Sequence, residues 1–187
     1  MSSIMDKLKK NTTVKSSSIV ADSKFFGQKD LVNTGVPALN IALSGDIDGG
    51  LASGLTVIAG PSKHFKSNIS LIMVAAYLKE NEDAVALLYD SEFGITPEYL
   101  ANFDIDTSRV LHTPVEHVEQ LKFDIVKQLE EIDVKDKVII MIDSIGNLAS
   151  KKELEDAINE KSVADMSRAK SLKGLFRIIT PYLNTRD

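Results

Sequence analysis

The chain holds one run in which residue type and spacing together describe chemistry: Gly60-Pro61-Ser62-Lys63-His64-Phe65-Lys66-Ser67. It follows the apolar stretch Val57-Ile58-Ala59 and leads into a hydrophobic segment. A strand, a glycine-led turn, a Lys-Ser pair and a helix form the layout of a phosphate-binding loop. Backbone N–H groups and the helix N-terminus would hold an anion there. The pattern G-x-x-x-x-G-K-[ST] is satisfied except at its second glycine, where Phe65 stands. Phe65 carries a Cβ at a position where glycine is usual, which predicts a differently shaped loop. Lys66 would reach terminal phosphates and offset the charge that builds during phosphoryl transfer, and Ser67 would ligate Mg²⁺ through its hydroxyl.

A second apolar run, Val138-Ile139-Ile140-Met141-Ile142, ends in Asp143, a carboxylate able to hold the same metal directly or through water. A third, Ala84 to Tyr89, ends in Asp90-Ser91-Glu92. Glu92 is placed to align and activate an attacking water, and Asp90 is a rival for that role. Tyr99, in the first turn of an expected helix, is a candidate to stack on a nucleobase, although aromatics there more often belong to the core. His64, His112 and His117 show no metal-binding spacing.

These groups need elements to position them. Val36 to Leu43 reads as a helix with Pro37 in its first turn, and Thr56 to Ala59 as the strand before the loop. Ser67 to Lys79 is apolar nearly all round and predicts a helix buried on more than one side. Ala84 to Tyr89 predicts a strand covered on both faces. Thr96 caps a helix with Pro97 at its first position. Val110 to His112 is a short strand. Thr113-Pro114-Val115-Glu116 reads as a capping box, opening a helix with the stripe Val115, Val118, Leu121, Ile125, Leu129 and Ile132. A further stripe, Val163, Met166, Ala169, Leu172, Phe176 and Ile179, predicts a last helix that Pro181 should end or kink. Strands alternating with helices mean right-handed βαβ units on a parallel sheet, with ligands beyond the carboxyl ends of the strands. Gly60 to Ser67, Glu92 and Asp143 all fall at that edge.

At 187 residues, with 43% hydrophobic and 26% charged residues, the chain has the composition of a folded domain. Its net charge of -5 argues against a wholly basic nucleic-acid binder, but not against a local basic face. Residues 161 to 187 carry six basic side chains, Lys161, Arg168 and Lys173 among them, against two acidic ones. Such a face suits phosphate backbones, whereas the plainer reading is a solvated helix surface. With no cysteine there is no disulfide and no thiolate metal site. No signal peptide and no membrane-spanning run is present, so an intracellular, soluble protein is expected. Ser2 to Lys10 predicts a small amphipathic helix, and Asn11 to Ser18 a polar linker.

The combination of Gly60-Pro61 with Lys66-Ser67, Tyr89-Asp90-Ser91-Glu92, Pro97-Glu98-Tyr99 and Ile142-Asp143-Ser144 resembles the RecA-type strand-exchange recombinases. The likeness is strongest to the branch from T-even-like bacteriophages. It rests also on Asn147-Leu148-Ala149-Ser150-Lys151-Lys152-Glu153 and covers almost the whole chain. The phage branch shares the Phe65 departure. The resemblance implies a three-layer α/β fold, the RecA-type P-loop ATPase core with a mostly parallel sheet. It implies an N-terminal arm and linker over residues 1–30 that docks on a neighbouring protomer, and a core over 31–187. It implies ATP and Mg²⁺ as cofactors, and a homo-oligomeric helical filament on single-stranded DNA that pairs it with homologous duplex.

Position by position, Gly60, Pro61, Ser62, Lys63, His64, Phe65, Lys66 and Ser67 would take the phosphates, Ser67 and Asp143 the metal, and Tyr99 the adenine. Lys66 and Glu92 would be catalytic. Lys151, Lys152, Lys161, Arg168 and Lys173 would contact DNA. Phage recombination mediators and single-strand-binding proteins would be further partners, with no membrane, in the host cell cytoplasm for a phage-encoded chain. Family members are considerably longer, and their next strand would lie between the Asp143 strand and the loop strand. The chain is therefore expected to be an N-terminal portion, incomplete at its C-terminus and lacking full activity. The alternatives are another ATPase of the same superfamily, such as a helicase motor, and a non-catalytic module that assembles or caps a recombinase filament.

Overall fold

The computed structural model describes residues 4–15, 17–23, 30–160 and 166–185. Ten elements follow in order: α1 (Ile4–Asn11), α2 (Pro37–Ser44), α3 (Lys66–Glu80), β1 (Val85–Asp90), α4 (Pro97–Ala101), β2 (Val110–Pro114), α5 (Val118–Glu131), β3 (Val138–Asp143), α6 (Lys151–Ile158) and α7 (Ser167–Thr185). The three strands form one parallel sheet in the order β2-β1-β3, with Asp90 in register with both Pro114 and Asp143. This register brings the carboxyl ends of β1 and β3 level, which is what places Asp143 beside the turn carrying Glu92.

Successive residues of β1 point to opposite faces, and both faces are covered. Ala86 and Leu88 pack with Leu71, Val74 and Leu78 of α3 and with Leu100 of α4. Leu87 and Tyr89 pack with Leu121 and Ile125 of α5 and with Leu175 and Ile179 of α7. The expected stripe of α5 is the buried one: Val118, Leu121, Ile125 and Leu129 are all within 5% exposure. A side chain that spacing does not single out closes the sheet's amino end. Arg109 donates from Nε to the Ala84 carbonyl at 2.9 Å and from NH1 to the Leu78 carbonyl at 3.0 Å. The guanidinium thereby takes the Leu78 carbonyl, in the last turn of α3 where no helical N–H reaches, and ties it to the residue before β1.

Three expectations are corrected. Thr56 to Ala59 is extended but has no ladder partner among the described residues, and Leu55 and Val57 stand 50% and 68% exposed. A strand is a pairing rather than a propensity, and β3 does not reach this segment. Thr113 to Glu116 does not open a helix. β2 runs through Pro114, and the Val115 N–H donates to the Asp90 carbonyl at 2.9 Å. His117 caps α5 instead, its Nδ1 accepting the Gln120 N–H at 3.2 Å. Pro181 does not end α7, which continues through it to Thr185. Within the stripe of α7, Met166 is 77% exposed just before the helix begins, and Val163 lies outside the described residues.

Before the phosphate loop, Asn40 of α2 is a fully buried hub. Its Oδ1 accepts the Thr34 N–H at 3.0 Å and the Thr34 hydroxyl at 2.6 Å, while Nδ2 donates to the Ile47 carbonyl at 3.0 Å. Gly50 completes the turn: its φ is +146°, and a Cβ there would lie 2.0 Å from the Val32 carbonyl oxygen. At the other end, α1 forms as expected, with Ile4, Met5 and Leu8 exposed by 72%, 49% and 59%. No helix among the described residues is long and apolar enough to cross a membrane.

Candidate functional site

The phosphate loop turns on two residues in the left-handed region, Lys63 (φ +63°) and Phe65 (φ +56°). Phe65 therefore takes up, with a Cβ, a left-handed conformation that glycine adopts freely. The residue is 73% exposed, and the left-handed conformation sets its Cβ against its own backbone. The His64 ring Nδ1 lies 2.8 Å from the Ser62 carbonyl and braces the turn. Lys66 is the first residue of α3, and its Nζ donates back to the Pro61 carbonyl at 2.8 Å. Loop amides, a 15-residue helix starting at Lys66 and an ammonium thus converge on one side of the loop. That arrangement attracts anions.

Facing the loop, the ends of β1 and β3 are knotted together. The Ser91 N–H donates to the Asp143 carbonyl at 2.8 Å, and the Ser91 hydroxyl donates to the Ser144 carbonyl at 2.8 Å. The Ser144 N–H returns a bond to Ser91 Oγ at 2.9 Å. The Ser144 hydroxyl then donates to Glu92 Oε1 at 2.8 Å, which holds this exposed carboxylate over the sheet edge.

Asp143 is half-buried, and burial pushes its carboxyl above the ordinary value of 3.8. The Ser67 hydroxyl, hydrogen-bonded to it, pulls the other way, and the Glu92 and Asp90 carboxylates add to the rise. Lys66 opposes it through its charge. A carboxylate held ionised against these neighbours gains from a cation. Hydroxyl and carboxylate oxygens are hard donors of the kind Mg²⁺ prefers. No group of three or more His, Cys, Asp or Glu side chains able to hold a metal occurs among the described residues. Mg²⁺ fits this pair as it does wherever one or two protein oxygens share the ion with substrate phosphates.

Asp90 is removed from the rivalry with Glu92. It is 1% exposed, and Oδ1 accepts the N–H groups of Glu92 (2.9 Å) and Phe93 (2.7 Å). Oδ2 accepts the Ile95 N–H at 3.4 Å and lies 3.2 Å from His112 Nε2. A carboxylate so engaged builds the turn that presents Glu92. The pattern Asp-Ser-Glu after a buried run carried a signal for this, since Asp accepts N–H groups two and three residues on when a chain turns. Tyr99 sits in the first turn of α4 behind the Thr96 cap, whose Oγ1 accepts the Tyr99 N–H at 3.2 Å. The ring is half-buried, stands edge-on to Phe103 at 5.5 Å, and its hydroxyl donates to Asn68 Oδ1 at 3.0 Å. Asn68 directly follows Ser67, so Tyr99 is tied to the helix that begins at the phosphate loop.

The basic positions are more dispersed. Lys151 and Lys152 are exposed in the first turn of α6, where the Lys151 ammonium lies 3.9 Å from Glu155. Ser150 caps that helix and is fully buried. Lys173 lies on the exposed side of α7, and Lys161 is outside the described residues. Arg168 is turned inward: Nε donates to the Leu148 carbonyl at 2.6 Å, and NH2 donates to the carbonyls of Ile145 (3.0 Å) and Gly146 (2.9 Å). No residue spacing announces such a contact. A cleft of about 1830 Å³ runs from Gly60, Lys66 and Glu92 along β3 to the unpaired segment before the loop.

Comparison with known proteins agrees with this geometry. The family model of the RecA N-terminal domain matches residues 1–185. The recombination and repair protein of Enterobacteria phage T4 is 56% identical over 187 residues, which is 100% of this chain and 48% of that protein. Protein RecA of Kineococcus radiotolerans is 31% identical over 156 residues, 83% of this chain and 42% of its own. Protein RecA of Thermotoga neapolitana is 29% identical over 154 residues, 82% of this chain and 42% of its own. The chain thus spans about half the length of the curated relatives it matches. With the family model matched from residue 1 to residue 185, the chain belongs to the RecA N-terminal domain family.

Proposed function

We propose that the chain carries the Mg-ATP site of a recombination and repair ATPase that assembles on single-stranded DNA. The observation that supports this most is the meeting of Lys66, Ser67, Asp143 and Glu92 at one sheet edge, from three stretches distant in sequence. In this reading the loop amides and the α3 N-terminus bind the phosphates, and Lys66 exchanges its Pro61 carbonyl partner for the terminal phosphate. Ser67 and Asp143 hold Mg²⁺, which, when bound, neutralises charge on the phosphate oxygens. Glu92, aimed by Ser144 and by the Asp90 turn, aligns the attacking water. Tyr99, fixed by Asn68, offers its ring to adenine.

Lys151, Lys152, Lys161 and Lys173 are assigned to DNA phosphates, and α1 with its linker, within residues 1–30, to a neighbouring protomer of a helical filament. Mediator and single-strand-binding proteins, and action in a host cell cytoplasm, belong to the same reading, which rests on the likeness to the phage T4 protein. Hydrolysis tests it: inorganic phosphate release by the chain with Mg-ATP should rise on adding oligo-dT and vanish in Glu92→Gln. Release that ignores both changes would refute the assignment. The largely exposed stretch Leu55 to Gly60, which has no ladder partner among the described residues, favours a second reading, in which the chain binds nucleotide without turnover and acts in assembly or capping. Nucleotide binding with no phosphate release, joined to a dose-dependent effect on an intact recombinase, would select it.

A further inference from the structure

Arg168 sits where two parts of the molecule with different work meet. Its guanidinium takes the carbonyls of Ile145, Gly146 and Leu148, the 3-10 turn that leaves β3 directly after Ser144. Ser167, the residue before it, places its hydroxyl 2.6 Å from the hydroxyl of Ser150, the buried cap of α6. The first turn of α7, the start of α6 and the exit from β3 are therefore fastened at one point. Glu119 of α5 adds to the fastening: its carboxylate accepts the Lys151 N–H at 2.9 Å and the Ser171 hydroxyl at 2.8 Å. From Ile145 one covalent step leads to Ser144, whose hydroxyl holds Glu92.

We infer that Arg168 is a positioning residue that couples the starts of α6 and α7 to the Glu92 carboxylate, rather than a contact to DNA phosphate. The inference rests on the reading of α6 as a DNA-contacting element and of Glu92 and Asp143 as part of a nucleotide site. A planar fork with donors at fixed angles can hold three carbonyls of one turn, whereas an ammonium is a single point of charge. Displacing α6 or the start of α7 by a bound polyanion would pull on the turn through Arg168 and shift Ser144 with it.

Arg168→Lys separates the roles, because it keeps the positive charge and loses the fork. The affinity of the whole chain for a fluorescent Mg-ATP analogue is measured with and without saturating oligo-dT, and oligo-dT affinity by anisotropy. The wild-type chain is expected to bind nucleotide about fivefold or more differently when DNA is present, the lower end of common coupling. Arg168→Lys should leave each separate affinity within about twofold and reduce that ratio to near one. Arg168→Ala should behave the same way, and its thermal melt with that of Arg168→Lys checks that both remain folded. Should the lysine variant lose its fold, Ser167→Ala, which removes the hydroxyl that meets Ser150, should still lower the ratio. Coupling retained in Arg168→Lys, or absent from a wild-type chain that binds both ligands, overturns the inference. So does oligo-dT affinity that falls in Arg168→Ala and is rescued by lysine. A wild-type chain that binds neither ligand refutes the functional reading itself.

Discussion

Asp90 offers the sharpest test of how the site is built. Replacing it with alanine removes a buried carboxylate that accepts three backbone N–H groups, those of Glu92, Phe93 and Ile95. Hydrogen bonds to a charged acceptor contribute about 1.5–3 kcal/mol each, and a buried donor left unpaired costs about 1–3 kcal/mol. The Ile95 contact is long, at 3.4 Å, and weighs least. The His112 contact is open to solvent, with that side chain 41% exposed, and adds under about 1 kcal/mol. Because these contacts share one group they do not add, and a total of about 4 kcal/mol is expected for Asp90→Ala, within the range for removing one partner from a buried charged network. With a urea slope near 2 kcal/mol per molar, the unfolding midpoint should fall by about 2 M. Asp90→Asn keeps an acceptor for the Glu92 and Phe93 N–H groups, so its loss should be about 1–2 kcal/mol. Amide exchange at Glu92, Phe93 and Ile95 should accelerate in the alanine variant before exchange in β1 does. An Asp90→Ala chain within 1 kcal/mol of wild type, with those amides still protected, would refute the reasoning.

Other consequences follow from the same geometry. Phe65→Gly should stabilise the chain by about 0.5–1 kcal/mol, because relief of a left-handed residue, about 1–2 kcal/mol, outweighs the extra freedom glycine has when unfolded, about 0.5–1 kcal/mol. Phe65→Ala keeps the strain, so equal melting of the two variants would contradict this. Asp143 has a carboxyl raised in the folded chain, so the folded state binds its proton more tightly than the unfolded state does. Its contribution is fully present below the ordinary value of 3.8 and is lost as pH rises through the folded value. Asp143→Asn should therefore melt above wild type at pH 7 without Mg²⁺, the gain disappearing in acid; a gain independent of pH would contradict the shift. Amides of Thr56 to Ala59 should exchange far faster than those of Ala86 to Tyr89, as their lack of a ladder partner requires.

Much of the fold and site was legible because continuous apolar runs ending in carboxylates are hard to explain except as covered parallel strands. That logic placed β1, β3, Glu92 and Asp143 at one edge, and the register of Asp90 with Asp143 agrees with it. Thr56 to Ala59 is also largely apolar, yet it has no ladder partner among the described residues, because pairing depends on a neighbour that local sequence does not specify. Thr113 to Glu116 had the spacing of a capping box, yet the Val115 N–H found the Asp90 carbonyl of a strand distant in sequence. The contacts of Asn40, Arg109 and Arg168 were invisible for one shared reason. Each side chain bonds to backbone groups whose positions exist only after packing, and neither period nor spacing encodes those.

The central claim is that an ammonium on α3 and a carboxylate from β3 serve the same nucleotide. Equilibrium binding of a fluorescent Mg-ATP analogue to the chain and to Lys66→Ala tests it most directly, with circular dichroism and melting confirming that both are folded. The account predicts saturable, Mg²⁺-dependent binding by the wild-type chain and a loss of at least tenfold in the variant. Equal binding by two folded chains would contradict it.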